Sequence, residues 1–133
     1  MLRIPDAVKQ DAREGQTLLD LGFKGGTKTG WERANQLIND DKIPLTDVAV
    51  MRAWFARHGP DAKNGGTSYP GYCEWINADK PLDEPLNHRG AVSWLIWGGD
   101  AAYTWLKTPS VRQALRKAFP SRKQASLRIN LVC

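Results

Sequence analysis

Apolar residues recur at helical spacing along most of this chain, and the recurrences divide it into short helices. Pro5 to about Leu21 predicts the first, with Pro5 in a first-turn position, Gly15 weakening the middle and Gly22 as the stop. Phe23–Lys28 reads as a turn, after which Thr29 and Glu32 have capping-box spacing. The helix that follows carries Trp31, Ala34, Leu37 and Ile38 on one stripe and ends near Asn39. Thr46 and Asp47 open another, with Val48, Met51, Trp54 and Phe55 inward and His58 in the last turn before Gly59-Pro60.

Residues 60–86 lack such a stripe and read as a long connection rich in Gly, Pro, Asn and Asp. Tyr69, Tyr72, Cys73, Trp75 and Ile76 would pin it to the core through a short helical turn. Asn87 then caps a segment through Ala91, Trp94 and Leu95. At Gly98-Gly99-Asp100 two readings stand: Asp100 re-caps a second segment through Ala101, Ala102, Trp105 and Leu106, or one helix continues and the glycines admit a close neighbour. Thr108-Pro109 is a cap followed by a first-turn proline, and Val111, Leu115, Ala118 and Phe119 form the last stripe. Arg122–Cys133 is expected to be extended or disordered, with β character over 127–132. The pattern predicts an all-α fold: a compact bundle of five or six short helices with a long inter-helix loop and a basic C-terminal extension. Its core would hold Trp31, Leu37, Met51, Trp54, Phe55, Trp94, Leu95 and Trp105, with residues 1–107 as the Trp-rich helical part and 108–133 as the basic part.

Charge changes this picture. The chain of 133 residues has net charge +5, yet its last acidic residue is Asp100. Seven cations follow (Lys107, Arg112, Arg116, Lys117, Arg122, Lys123 and Arg128), while the first hundred residues hold 12 Lys/Arg against 14 Asp/Glu. A solvated helix face normally mixes signs, so a one-sign segment points to a polyanion or an acidic protein surface. Six tryptophans are available to a core, and Trp75 is the freest to stack on a base. Two cysteines do not make a disulfide framework, and Cys73 reads as a small packing residue. With no apolar leader and no span long enough for a bilayer, no membrane partner and an intracellular site of synthesis are expected.

Candidate chemistry is thin. Arg57-His58 with Asp61 has the makings of a His–carboxylate pair or two metal ligands; the plainer reading is a histidine favoured by the helix dipole beside a turn-capping Asp. Gly98-Gly99-Asp100 resembles a phosphate-cradling loop but lacks the following Lys-Ser/Thr. Gly25-Gly26-Thr27-Lys28-Thr29 lacks the upstream glycine of a P-loop, and Cys73 with His58 or His88 is a weak nucleophile–base pairing. No HExxH, paired CxxC or GxSxG occurs. The chain is therefore expected to be no enzyme and to use no metal or cofactor.

Four segments taken jointly resemble a family. They are Pro5…Ala12-Arg13-Glu14-Gly15; Gly25-Gly26-Thr27…Gly30-Trp31-Glu32-Arg33-Ala34-Asn35-Gln36-Leu37; Met51…Trp54-Phe55-Ala56-Arg57-His58…Asp61; and Gly90-Ala91-Val92-Ser93-Trp94…Trp97-Gly98-Gly99-Asp100-Ala101…Trp105. Over roughly residues 5–107 the chain resembles a small domain of tailed-phage head genes, often fused to or encoded beside portal, head-maturation protease or head-morphogenesis proteins. It departs from that pattern in standing alone and in adding Asn77–Asn87 and the basic segment after Lys107. The resemblance implies a virion or host-cytoplasm protein partnered by capsid or portal proteins, and it carries no catalytic residue. Within such an assembly the chain is expected to be non-enzymatic, a minor capsid, cement or connector-associated component. Its basic arm would meet an acidic partner or packaged DNA, and a homo-oligomer is one form it could take there. Arg33, Arg57, His58, Asp61 and Asp100 are the polar residues of the family-like segments, expected to tie helix ends and the long loop together. A small, sequence-nonspecific DNA-binding protein is the alternative.

Overall fold

A computed structural model describes all 133 residues, and the fold is all-α. Seven helices are present: α1 (Asp6–Asp20), α2 (Lys28–Asn39), α3 (Leu45–His58), α4 (Ser68–Asn77), α5 (Arg89–Ile96), α6 (Gly99–Leu106) and α7 (Pro109–Ala118). The expected five or six did not count the short helical turn foreseen in the long connection; that turn is a full helix, α4. Strands β1 (Leu2–Arg3) and β2 (Lys42–Ile43) pair antiparallel, Leu2 opposite Ile43, and tie the N-terminus to the α2–α3 turn.

The organising element is α5. Ala91, Val92, Trp94, Leu95 and Ile96 are all buried, so it is apolar around most of its circumference and needs neighbours on several sides. It packs against α1, α2, α4 and α6. The glycine in α1 that weakens it as an isolated helix is what lets it approach: a Cβ on Gly15 would lie 2.8 Å from Ile96 Cγ2 and 2.9 Å from the Ile96 nitrogen.

One cluster of buried hydrophobic residues runs from Ile4 to Leu127, with Trp75, Trp94, Tyr103 and Phe55 the largest fully buried side chains. Leu37, Met51, Trp54, Phe55, Trp94 and Leu95 are in it as expected. Trp31 and Trp105 are not. Trp31 is 45% exposed and donates its indole N–H to the Gly25 carbonyl (3.0 Å), while Trp105 is only partly buried. The buried stripe of α2 instead runs Gly30, Ala34, Leu37, so the tryptophan beside it faces outward.

The helix starts also differ. Helix α2 begins at Lys28 behind Thr27, which places Thr29 inside the first turn and removes the capping box. Helix α3 starts at Leu45 behind Pro44 rather than after Thr46, and α5 starts behind His88 rather than at Asn87. At Gly98-Gly99 the chain breaks into two helices. Both glycines have positive φ (+111° and +63°), and a Cβ on Gly99 would fall 2.5 Å from Asp11 Oδ2. The turn therefore demands glycine on conformational and packing grounds at once. Gly98 is the N-cap, and Asp100 lies in the first turn, where it accepts the Trp94 indole N–H (2.8 Å) instead of capping.

The residues after α7 form neither strand nor regular helix; 122–133 run back across the body as a strap. Val111 and Leu115 of α7 and Leu127 of the strap belong to the same buried cluster as the rest of the chain. Two cysteines make no framework, but they make one bridge: Cys73 in α4, expected as a small packing residue, and Cys133 at the strap's end form a disulfide with Cα atoms 5.1 Å apart.

Candidate anion-binding site

The strap is fixed by contacts that no local pattern encodes. Leu127 is buried and Leu131 packs on the core margin. Asp61, just beyond α3, accepts the Arg128 backbone N–H (2.8 Å) and the Tyr103 hydroxyl, and that hydroxyl accepts the Ile129 N–H (3.1 Å). Lys107 donates to the Ile129 carbonyl (2.8 Å) and Gln124 to the Arg112 carbonyl (2.9 Å). Arg52 of α3, 5% exposed, donates one guanidinium N–H to the Leu106 carbonyl and another to the Ala125 carbonyl, joining the end of α6 to the strap. The basic segment, expected to be extended or disordered with β character over 127–132, is ordered without forming a strand and is clasped to the body.

Clasping brings most of the basic residues together. A cleft of about 610 Å³ lies between α7 and the strap. Arg112 and Arg116 line one wall, Arg122 and Arg128 the other, Lys107 lies at the α6 end, and Arg52 also contributes to the lining. Lys123 borders a separate, more apolar groove of about 550 Å³ whose lining includes Val50, Leu115 and Phe119. Lys117 lines neither and stands exposed on α7. Of the seven cations predicted from sequence, five therefore share the cleft.

None of these cations, nor Arg52, has a carboxylate within 4.0 Å; the ion pairs of the molecule lie elsewhere, at Lys28–Glu32, Arg33–Asp47, Lys80–Glu14 and His88–Glu84. Burial, and next the charge of Arg112, push the Arg52 pKa below its ordinary value. A guanidinium is still charged at any physiological pH. Its Nε–H is buried without a partner. Burial, reinforced by the hydrogen bond to Asp61, pushes the Tyr103 hydroxyl well above its ordinary range, so it stays a neutral donor.

The polar residues of the family-like segments are dispersed. Arg33 pairs directly with Asp47 (3.5 Å), Gln36 accepts from Arg33 and donates to Asp47 beside that pair, and the guanidinium lies over the Trp97 ring (5.5 Å). Trp97 stacks on Trp54 (4.9 Å), and Trp54 meets His58 (5.0 Å), so Arg33 and His58 end one aromatic ladder. Arg57 is exposed. Asp61 turns to Tyr103 and the strap instead of His58, so the His–carboxylate pair is not formed. Burial, and then Arg57, lower the His58 pKa.

Asp100 and Asp11 are both raised above the usual carboxylate range by burial, against the opposing hydrogen bonds from the Trp94 indole and the Ala101 N–H. The His–carboxylate contact that does form is His88 with Glu84 (2.8 Å), an i,i+4 pair beside Phe23. No three His, Cys, Asp or Glu side chains come together in a way that would hold a metal ion. No helix is long and apolar enough to cross a membrane.

Sequence reading missed Arg52 and the disulfide. A signal for Arg52 existed: it continues the buried Val48–Phe55 face at i+4, an unusual place for an arginine. No known family model, curated protein or solved structure matches the chain.

Proposed function

We propose that this protein is a non-enzymatic structural component of a tailed-phage head that presents a fixed basic face to packaged DNA. The head assignment rests on the sequence resemblance of residues 5–107. The DNA assignment rests on one observation above others: five cations of α7, Lys107 and the strap converge on one cleft with no carboxylate within 4.0 Å of any of them. Uncompensated positive charge of this kind recruits a polyanion, and contacts to phosphate fix position without reading sequence. The Cys73–Cys133 disulfide fits a protein whose working place is a released particle, because cytosolic thiols are kept reduced.

The test is a titration with short duplex and single-stranded DNA at about 50 and about 200 mM salt, since a protein making six or more phosphate contacts loses about 10³-fold or more in affinity over that range. Truncation after Lys107 is unsuitable as a control, because it removes Val111, Leu115 and Leu127 from the core. The control is replacement of the exposed Arg112, Arg116, Lys117, Arg122, Lys123 and Arg128 by Gln. Binding that falls at least a hundredfold with salt and is lost in the replaced protein is the expected result. Absence of binding at the lower salt overturns the DNA assignment and leaves an acidic capsid or portal surface as the partner. The head assignment is checked by a fixed copy number of the protein in purified particles.

A further inference from the structure

We infer that the cleft between α7 and the strap is a discrete binding site for a phosphate group, built around the buried Arg52 and completed only when the strap is clasped. This deepens the DNA-binding reading by naming the place and chemistry of the contact, and it rests on that reading for the phosphate's source.

Three observations carry it. First, Arg52 is buried and has no counter-ion. Two of its N–H groups hold the Leu106 and Ala125 carbonyls, and its Nε–H has no partner. The carboxylate whose charge it feels, Asp61, lies beyond 4.0 Å and is occupied by the Tyr103 hydroxyl and the Arg128 N–H. The two carbonyls offset only part of the cost of burying this charge, and an oxyanion in the cleft that Arg52 helps to line offsets more of it. Second, Arg112 and Arg52 line the same cleft, and after burial the charge of Arg112 is the next cause that lowers the Arg52 pKa. Like charges held together in a polar cleft become favourable once an anion sits between them, and guanidinium forks match phosphate oxygens in pairs. Third, the walls come from different parts of the chain: Arg112 and Arg116 from α7, Arg122 and Arg128 from the strap. A cleft of about 610 Å³ has room for a phosphate with its attached sugar.

The two walls distinguish a site from a smear of charge. Lys117 and Lys123 lie on the same basic segment but outside the cleft. A general electrostatic face would treat their loss like the loss of Arg112 and Arg116, whereas a site would not.

The experiment uses the full, oxidised chain. Inorganic phosphate and a short single-stranded oligonucleotide, with and without a 5′-phosphate, are titrated into three proteins: the native chain, the Arg112→Gln/Arg116→Gln variant, and the Lys117→Gln/Lys123→Gln variant. All four replaced residues are exposed, so melts are expected to show both variants folded. The expected result is a saturable shift of the Arg52 Nε–H resonance with phosphate, weakened tenfold or more by the cleft replacement and less than threefold by the other. Equal binding with and without the 5′-phosphate assigns the ligand to backbone phosphates; dependence on it assigns a terminal one. DNA binding that both variants weaken equally, with no Arg52 response, overturns the site and leaves the DNA reading standing. A phosphate response in the absence of DNA binding at low salt keeps the site and overturns the DNA reading.

Discussion

The strap's disulfide lends itself to a quantitative test. Cys133→Ser opens a covalent loop between residues 60 apart in sequence. In the chain-entropy account, closing a loop of that length removes about 4 kcal/mol of freedom from the unfolded chain at 25 °C. The native side changes much less. The strap keeps its hydrogen bonds to Asp61, Tyr103, Lys107 and Arg52, and Leu127 stays buried.

Almost the whole loss should therefore appear through the unfolded state, against a total stability of about 5–15 kcal/mol for a domain. For a chain of this size the midpoint should drop by roughly 12–20 °C. The assay is a pair of thermal melts, native and Cys133→Ser, each with and without a phosphine reductant. The reductant must lower the native midpoint to near that of the variant and leave the variant unmoved. Trypsin supplies the local readout: cleavage at Arg122, Lys123 and Arg128 should be slow in the oxidised protein and faster once the bond is open. A loss below about 1 kcal/mol, or two reactive thiols in the denatured native protein, would refute the reasoning.

Other substitutions test the core. Gly99→Ala should cost about 1–3 kcal/mol in urea unfolding, because it forces a side chain into positive φ against Asp11; Gly65→Ala, also at positive φ but with nothing within 4 Å, should cost visibly less. Asp100→Asn keeps an acceptor for the Trp94 indole and removes a carboxylate that burial holds above its usual range. Such a group favours the folded state at low pH and loses that contribution as pH rises through its folded value. The variant should therefore match or exceed the native midpoint at pH 7, with any advantage vanishing on acidification; marked destabilisation at neutral pH would count against the burial argument. His58→Ala should cost about 1 kcal/mol from the lost contact with Trp54. Because the folded-state His58 pKa is depressed, native stability should fall as pH drops below the ordinary histidine value, and the variant should lack that component in urea midpoints between pH 7 and 5.5.

Which parts of the molecule were legible in its sequence follows from the range of each interaction. The stripes through Val48, Met51 and Phe55 and through Trp94 and Leu95 placed core residues correctly, because i, i+3 and i+4 positions share a face wherever a helix forms. Trp31 misled because Gly30 carries no apolar signal, although Gly30, Ala34 and Leu37 make the buried stripe. The full length of α4 was hidden by Pro70 and Gly71. Pro70 sits in the first turn, where no N–H is needed, and Gly71 touches Gly90 of α5, a Cβ at 71 falling 2.9 Å from its Cα. The charge asymmetry behind the candidate site was fully legible, but its geometry was not. Asp61 and Arg128 are 67 residues apart, and nothing near either predicts that they meet.

The same geometry explains why the strap needs so many fasteners. Closing it sets Arg122 and Arg128 across a cleft from Arg112 and Arg116 with no carboxylate between them, so closure works against like-charge repulsion. The disulfide, the Asp61 contacts and the buried Leu127 offset that repulsion in the empty state. An anion in the cleft would reverse its sign. By linkage, a ligand that binds only the closed strap stabilises the closed strap, and whatever closes the strap tightens the ligand. In the oxidised chain closure is already complete, so the anion's binding energy shows as affinity. In Cys133→Ser the remaining contacts keep the strap closed most of the time, so affinity falls only a little, while the anion's protection against trypsin, which acts on the transiently open strap, grows. Both changes come from one closed strap, and that shared origin is what separates a clasped phosphate site from a basic tail that merely lies near DNA.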